Sequence, residues 1–82
     1  MKIRYFSWLK NITNKEFEEI NNQKITDIDS LKKYLFQKYP KLKEHIIKNE
    51  IIRIAVNLEY APENIKISNQ DEIALFPPVS GG

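Results

Sequence analysis

The last eight residues of the chain, Leu75 to Gly82, are LFPPVSGG, and they contain both glycines of the 82-residue sequence. The two prolines favour an extended, polyproline-like backbone, and the residues that follow them are small. A narrow tail of this type can enter a deep slot in a partner protein, because glycine lets another backbone or a nucleotide approach closely. We therefore predict that residues 77–82 form a flexible tail that delivers the carboxylate of Gly82 as a reactive group.

A carboxylate is a weak electrophile and has to be activated before it reacts, for instance as an acyl-adenylate. The sequence contains no glycine-rich phosphate-binding loop, so an ATP-binding partner would have to perform that activation. The sequence also contains no cysteine, which excludes disulfides, thiolate metal sites and a cysteine nucleophile. The chain is therefore predicted to be a non-catalytic carrier of its own C-terminus, with no bound cofactor or metal.

The composition is typical of one small folded domain, with 41% hydrophobic and 29% charged residues. We expect residues 1–76 to form that domain. Thirteen basic and eleven acidic residues are interspersed along the chain, and the net charge is +2. This distribution favours a mixed-charge surface over a nucleic-acid-binding face. Neither a signal-peptide core nor an apolar run of membrane-spanning length is present. These features predict a cytoplasmic protein that binds neither nucleic acid nor a membrane.

Alternating apolar and polar residues predict four strands. They lie in KIRYFSWL, in NKEFEEINNQKI, in IIRIAVNLEYA and in DEIALF, the second being the least regular. In the last of these, Ile73 and Leu75 share one face, whereas Ala74 and Phe76 share the other. The first two strands are expected to pair antiparallel, with Leu9 and Ile12 in a short turn between them.

One helix is predicted in TDIDSLKKYLFQKYP, where Asp27 or Thr26 can cap the first turn and Pro40 ends the helix. Its apolar stripe consists of Ile28, Leu31, Leu35 and Tyr39. The following KLKEHIIKNE is expected to be a polar connection. The order strand, strand, helix, strand, strand predicts an α+β roll, in which a mixed sheet packs on one main helix.

The segments IAVNLEYA and ISNQDEIALFPPVSGG resemble the C-terminal half of the small, sulfur-carrying subunit of molybdopterin synthase. Gly-Gly alone is a weak motif, but FPPVSGG at the end of the chain is specific. The resemblance implies the ubiquitin-like β-grasp fold. One departure is visible, because the family has an acidic residue and a glycine before the DE pair, whereas this chain has Asn69 and Gln70. A local difference in that turn is therefore expected.

The resemblance also implies a mechanism and a set of partners. An adenylating enzyme of the ubiquitin-activating type would use ATP to adenylate Gly82, and a sulfur donor would convert the adenylate to a thiocarboxylate. The large subunit of molybdopterin synthase would then accept the tail, and the sulfur would pass to cyclic pyranopterin monophosphate during molybdenum cofactor biosynthesis. The residues expected to enter the partner are Pro77, Pro78, Val79, Ser80, Gly81 and Gly82.

A docking surface is expected beside the tail. Phe76 should lie on the outward side of the sheet together with Tyr60 and Phe6, and exposed aromatic patches often mark protein interfaces. Four other features receive ordinary structural interpretations. His45 is expected at the surface, Trp8 in packing or at the rim, and the acidic pairs Glu18–Glu19 and Asp71–Glu72 in solubility and turns.

Three alternatives remain open from the residues alone. The chain could carry sulfur for thiamine or another thiolation pathway, although thiamine-type carriers usually lack the FPP run. It could be a ubiquitin-like protein modifier whose Gly82 becomes an amide on a lysine. It could also be an adaptor without C-terminal chemistry, in which case Gly-Gly is only a frayed chain end.

Overall fold

Five strands form one mixed sheet in the computed structural model, which describes residues 1–47 and 52–77. The strands are β1 (Lys2–Tyr5), β2 (Phe17–Glu19), β3 (Arg53–Val56), β4 (Glu59–Tyr60) and β5 (Glu72–Phe76). Their order across the sheet is β2-β1-β5-β3-β4. The central pair β1–β5 is parallel and the other pairs are antiparallel. The predicted mixed sheet is therefore confirmed, and the low-regularity segment does contain a strand.

The inward face of the sheet carries the core. Ile3 lies opposite Ile73, and Ile54 lies opposite Leu75, and all four side chains are buried. The faces predicted for β5 from its alternation are confirmed. Because one face of β1 and of β5 is apolar, a register slip of one residue in either strand would turn these side chains to solvent. The hydrophobic pattern therefore specifies the pairing.

Helix α2 (Ile28–Lys38), the main helix, covers this inward face. Asp27 is the N-cap: its carboxylate accepts the Ser30 backbone N–H at 2.8 Å, and Ser30 Oγ accepts the Asp27 N–H at 3.1 Å. This reciprocal pair satisfies two amide groups that have no partner within the helix. The buried residues of the helix are Ile28, Leu31 and Leu35. The predicted helix is confirmed, with Asp27 and not Thr26 as its cap.

The segment after α2 was predicted to be a polar connection, and that prediction is wrong. It forms helix α3 (Pro40–Ile47). Pro40 ends one helix and begins the next, because proline disfavours helical geometry at the preceding residue yet fits the first turn of a helix. Leu42 is fully buried and anchors α3 to the core. Helix α3 was missed because one buried leucine in a lysine-rich segment is a weak periodic signal.

A short helix also replaces the turn expected after β1. Helix α1 (Leu9–Thr13) buries Leu9 and Thr13 and ends at Asn14, which adopts left-handed geometry with φ of 59°. Asparagine tolerates that conformation better than most residues.

Within residues 1–47 and 52–77, no helix has the length and apolar character needed to cross a membrane.

The segment IIRIAVNLEYA was predicted to be one strand, and the structure corrects this to the hairpin β3–β4. Asn57 and Leu58 form its two-residue turn, with φ of 51° and 70°. Two successive positive φ values are the geometry of a type I′ turn, whose second position is usually glycine. The turn was missed because leucine occupies that position. Leu58 is also 90% exposed.

Replacing Leu58 by glycine is expected to raise the free energy of unfolding by about 0.5–1 kcal/mol. Left-handed geometry costs a residue with a Cβ atom about 1–2 kcal/mol, and the greater freedom of glycine in the unfolded chain offsets part of the gain. Urea unfolding of L58G and L58A measures the effect, with L58A expected near zero because alanine keeps the Cβ atom. An equal gain in both variants would assign the effect to the exposed side chain and not to the backbone.

The turn before β5 is the one in which a local difference was expected from Asn69 and Gln70. Neither residue has a positive φ. Ser68 closes the turn instead, because its carbonyl accepts the Asp71 N–H at 3.1 Å and its own N–H donates to the Asp71 carboxylate at 2.7 Å. A turn of this kind does not require glycine.

Candidate functional site

The outward face of the sheet is formed by every second residue of the five strands. Its aromatic and charged side chains are exposed or half-buried, in contrast to those of the inward face. The residues of this outer face are Lys2, Arg4, Phe6, Phe17, Glu19, Arg53, Ala55, Tyr60, Glu72, Ala74 and Phe76. All three residues predicted to form a docking surface are among them.

Phe6, Tyr60 and Phe76, here called the aromatic patch, lie at one end of this face. The rings of Tyr60 and Phe76 are 6.5 Å apart between centroids and inclined by 58°, a favourable tilted arrangement. Phe6 follows the register pair Tyr5–Leu75 by one residue, and its N–H donates to the Leu75 carbonyl at 3.0 Å. It therefore occupies the position next to Phe76 on the neighbouring strand. Phe6 and Tyr60 are about half exposed.

The aromatic patch lies where the predicted tail begins. Strand β5 ends at Phe76, and the half-buried Pro77 follows directly. The other predicted tail residues lie outside the described residues; these are Pro78, Val79, Ser80, Gly81 and Gly82. A partner that holds the beginning of the tail would therefore come within reach of the patch.

A further exposed aromatic residue lies at the other side of the face and was not identified from the sequence. Phe17 on β2 is 49% exposed, pairs with Arg4 in the β1–β2 register, and has the Lys2 ammonium 4.6 Å from its ring centroid. The irregular alternation around β2 concealed which face it occupies. Its place on the edge strand β2, away from β5, separates Phe17 from the aromatic patch.

The two arginines of the outer face have different environments. Arg4 Nε is 2.6 Å from Glu72 Oε1, and this hydrogen bond holds the pKa of the Glu72 carboxyl below its usual range. Arg53 instead donates to the Tyr60 hydroxyl at 3.1 Å, with its guanidinium carbon 5.7 Å from the centre of that ring. Within the described ranges, no carboxylate lies within ion-pair distance of Arg53.

The described part of the chain contains no group of three or more His, Cys, Asp or Glu side chains that could hold a metal ion. The side chain of His45 lies outside what the structure describes. Trp8 is half-buried against the core, as predicted. Asp71 has its predicted role in a turn, where it accepts hydrogen bonds from Asn57 and Ser68.

Residues 3–82 match the model of the ThiS family. The chain belongs to the ThiS family. The match spans the aromatic patch and the whole predicted tail. The α+β architecture described above, with its mixed sheet on one main helix, is the β-grasp fold that was predicted.

Two relatives in this family are named molybdopterin synthase sulfur carrier subunit. The protein of Mycobacterium tuberculosis is 38% identical over 65 residues, which cover 79% of this chain and 75% of the relative. The protein of Dictyostelium discoideum is 35% identical over 85 residues and covers 99% of this chain and 94% of the relative. The resemblance first found in the C-terminal half thus extends over the entire chain.

Solved structures agree with the fold. A complex of subunits 1 and 2 of molybdopterin-converting factor from Helicobacter pylori contains a chain that is 27% identical, with a TM-score of 0.65 over 99% of this chain and 96% of that one. The small archaeal modifier protein 1 of Methanosarcina acetivorans is 31% identical, with a TM-score of 0.70 over 99% and 94% of the two chains.

On the inward side of this ThiS-family chain, Glu18 corrects a prediction made from the sequence. It was expected to serve solubility with Glu19, yet only Glu19 is exposed, and Glu18 is 8% exposed. Lys38 donates to its Oε1 at 2.5 Å, while the hydroxyls of Tyr5 (2.9 Å) and Tyr39 donate to its Oε2. The sequence could not identify this cluster, because its members come from β1, β2 and the end of α2.

The pKa values in this cluster follow from burial and hydrogen bonding. Desolvation raises the pKa of the Glu18 carboxyl, but the bonds from Lys38, Tyr39 and Tyr5 outweigh it, so the net pKa is lowered. Burial and then Glu18 raise the pKa of Tyr5 and of Tyr39. Glu18 is thus a charged structural acceptor that joins the strands to the helices.

Proposed function

We propose that the chain is the sulfur carrier subunit of a molybdopterin synthase and that Gly82 carries the sulfur as a C-terminal thiocarboxylate. The observation that carries this proposal is the position of the aromatic patch at the end of β5, immediately before a Gly-Gly tail, in a chain of the ThiS family. The names of the curated relatives support the choice of pathway.

Gly82 would react in three steps. An oxygen of its carboxylate attacks the α-phosphorus of ATP on an adenylating enzyme, and pyrophosphate leaves. A persulfide donor then attacks the acyl carbon through its outer sulfur, and AMP leaves with the carboxylate oxygen. A thiol cleaves the S–S bond of the resulting acyl disulfide, which frees the thiocarboxylate and leaves the donor sulfur in a disulfide with that thiol. Transfer of that sulfur to cyclic pyranopterin monophosphate on the large subunit, with water supplying the replacement oxygen, regenerates the carboxylate. The chain is not expected to act alone.

The large synthase subunit is proposed as the partner that accepts the tail, supported by the Helicobacter complex of two converting-factor subunits. Residues 77–82 would enter it, while Phe6, Tyr60 and Phe76 contact its surface. The proposal also includes two predictions. The chain divides into a domain of residues 1–76 and this tail, and the protein is located in the cytoplasm.

Intact-mass measurement tests the carrier step. The chain, ending at Gly82, is incubated with its cognate adenylating enzyme, ATP and a sulfur donor. We expect a mass gain equal to the exchange of one oxygen for sulfur, absent without ATP and absent when Gly82 is deleted. Because Gly82 lies beyond the last strand, its deletion should leave the thermal unfolding temperature unchanged, and this measurement verifies that the deletion variant is folded. The proposal would be contradicted if the mass of this chain stayed unchanged while the same adenylating enzyme loaded sulfur onto another carrier protein.

The same preparation distinguishes the alternatives. Addition of the large subunit and the pyranopterin precursor should return the mass of the chain to its starting value and produce molybdopterin. Sulfur loading without molybdopterin would indicate a carrier of the thiamine pathway or another thiolation pathway. Lysine residues that carry the C-terminal residues of this chain through an isopeptide bond would instead indicate a protein modifier.

A further inference from the structure

Arg53 lies at the root of the predicted tail. In the β3–β5 register it is directly opposite Phe76, the last strand residue before Pro77. Its guanidinium lies over the ring of Tyr60 and donates to the hydroxyl of that residue. Arg53 therefore sits among the residues of the aromatic patch and is held there by one of them.

The hydrogen-bonding capacity of this guanidinium is largely unused within the described residues. Arginine has five N–H donors in a planar fork, and the Tyr60 hydroxyl accepts from only one of its nitrogens. The hydrogen bond to the Tyr60 hydroxyl restricts the side chain, so the remaining donors are presented with little further loss of conformational entropy. Arg4 differs in this respect, because Glu72 already provides its carboxylate.

A partner that covers the aromatic patch would remove water from Arg53. Burying a charge without a partner is costly, whereas a charge-assisted, bidentate pair compensates for that cost. The covering surface must then supply an acceptor, and a carboxylate satisfies both the charge and the fork geometry. Charge complementarity to Arg53 therefore calls for an acidic side chain on the partner surface that covers the aromatic patch.

We propose that Arg53 recognises an aspartate or glutamate carboxylate on the apolar surface of the large synthase subunit that receives the tail. This inference rests on the proposed function and adds the polar contact that selects the partner. The ring of Tyr60 positions the guanidinium, and Phe76 provides apolar contact beside it.

Titration calorimetry with the cognate large subunit tests the proposal. Arg53→Gln is expected to weaken binding about 30-fold, since it leaves one carboxylate unpaired. Arg53→Glu is expected to weaken it by about a further 10-fold, because like charges then face each other. Arg53→Lys should lie between the wild type and Arg53→Gln, since lysine keeps the charge but lacks the planar fork. Arg4→Glu is the matched control, with the same charge change on the same face, and its effect should be several-fold smaller.

Several results would overturn the inference. Arg53→Glu binding as well as Arg53→Gln would indicate a neutral acceptor, and equal losses for Arg53→Glu and Arg4→Glu would indicate only a long-range effect of charge. Loss of sulfur loading with normal large-subunit binding would assign the carboxylate to the adenylating enzyme. A wild-type chain that does not bind the large subunit would overturn the proposed function itself. Far-ultraviolet circular dichroism of each variant verifies that it is folded.

Discussion

Replacement of Glu18 by alanine is expected to lower the free energy of unfolding by about 3 kcal/mol, since removing one member of a buried ion pair leaves its partners unsatisfied. The Tyr5 hydroxyl loses its acceptor within the core, whereas Lys38 and Tyr39 can partly turn to water. Small domains are stable by only about 5–15 kcal/mol, so this loss is a large fraction of the total. Urea unfolding at neutral pH measures it.

Glu19 provides the matched control, because it is the next residue of the same strand and its side chain is exposed on the outer face. Glu19→Ala should change the free energy of unfolding by no more than about 0.5 kcal/mol, as is usual for exposed positions. Equal effects of the two substitutions would mean that the cluster around Glu18 does not stabilise the fold.

Acid titration separates the charge of Glu18 from its shape. The pKa of this carboxyl is lower in the folded chain than its ordinary value, so its stabilising contribution is complete above about pH 4.3 and is lost as the pH falls through the folded-state pKa. Glu18→Gln removes the charge and keeps the size. The difference in unfolding free energy between wild type and Glu18→Gln should therefore shrink below pH 4. A difference that stays constant to pH 3 would contradict this account.

Replacement of Phe76 by alanine is expected to weaken binding of the large subunit by about 2 kcal/mol, or roughly 30-fold. Phe76 lies at the centre of the proposed contact, beside Tyr60 and directly before Pro77. Its side chain is on the outer face, so the core formed by Ile73 and Leu75 keeps its packing and the fold should change little. Titration calorimetry measures the affinity, and urea unfolding measures the stability.

Phe17 supplies the matched control for this substitution. It is an exposed phenylalanine on the same face but lies on β2, away from the tail, with Lys2 over its ring. Phe17→Ala should leave large-subunit affinity within about 3-fold of wild type, as expected for positions outside a hot spot. Equal losses from Phe17→Ala and Phe76→Ala would mean that the contact extends across the whole sheet. Normal affinity of Phe76→Ala would remove the aromatic patch from the proposed interface.

Local sequence patterns were sufficient to predict the main helix and most of the strands. The cap at Asp27, the end of α2 before Pro40 and the two faces of β5 depend on neighbouring residues, and neighbouring residues are what a pattern records. The same patterns failed where local chemistry was unusual. Leu58 at a positive φ concealed the β3–β4 turn, and a single buried leucine, Leu42, concealed α3.

Residue patterns alone predicted a narrow tail, the alternating faces of the strands and an outward surface that includes Phe6, Tyr60 and Phe76. The contacts that each side chain makes were set by the tertiary structure. It buried Glu18 beneath two tyrosines and a lysine, and it paired Arg4 with Glu72 while placing Arg53 over Tyr60. The physical reason is that periodicity reports which way a residue points within its own strand or helix. The partner it finds there comes from a distant part of the chain.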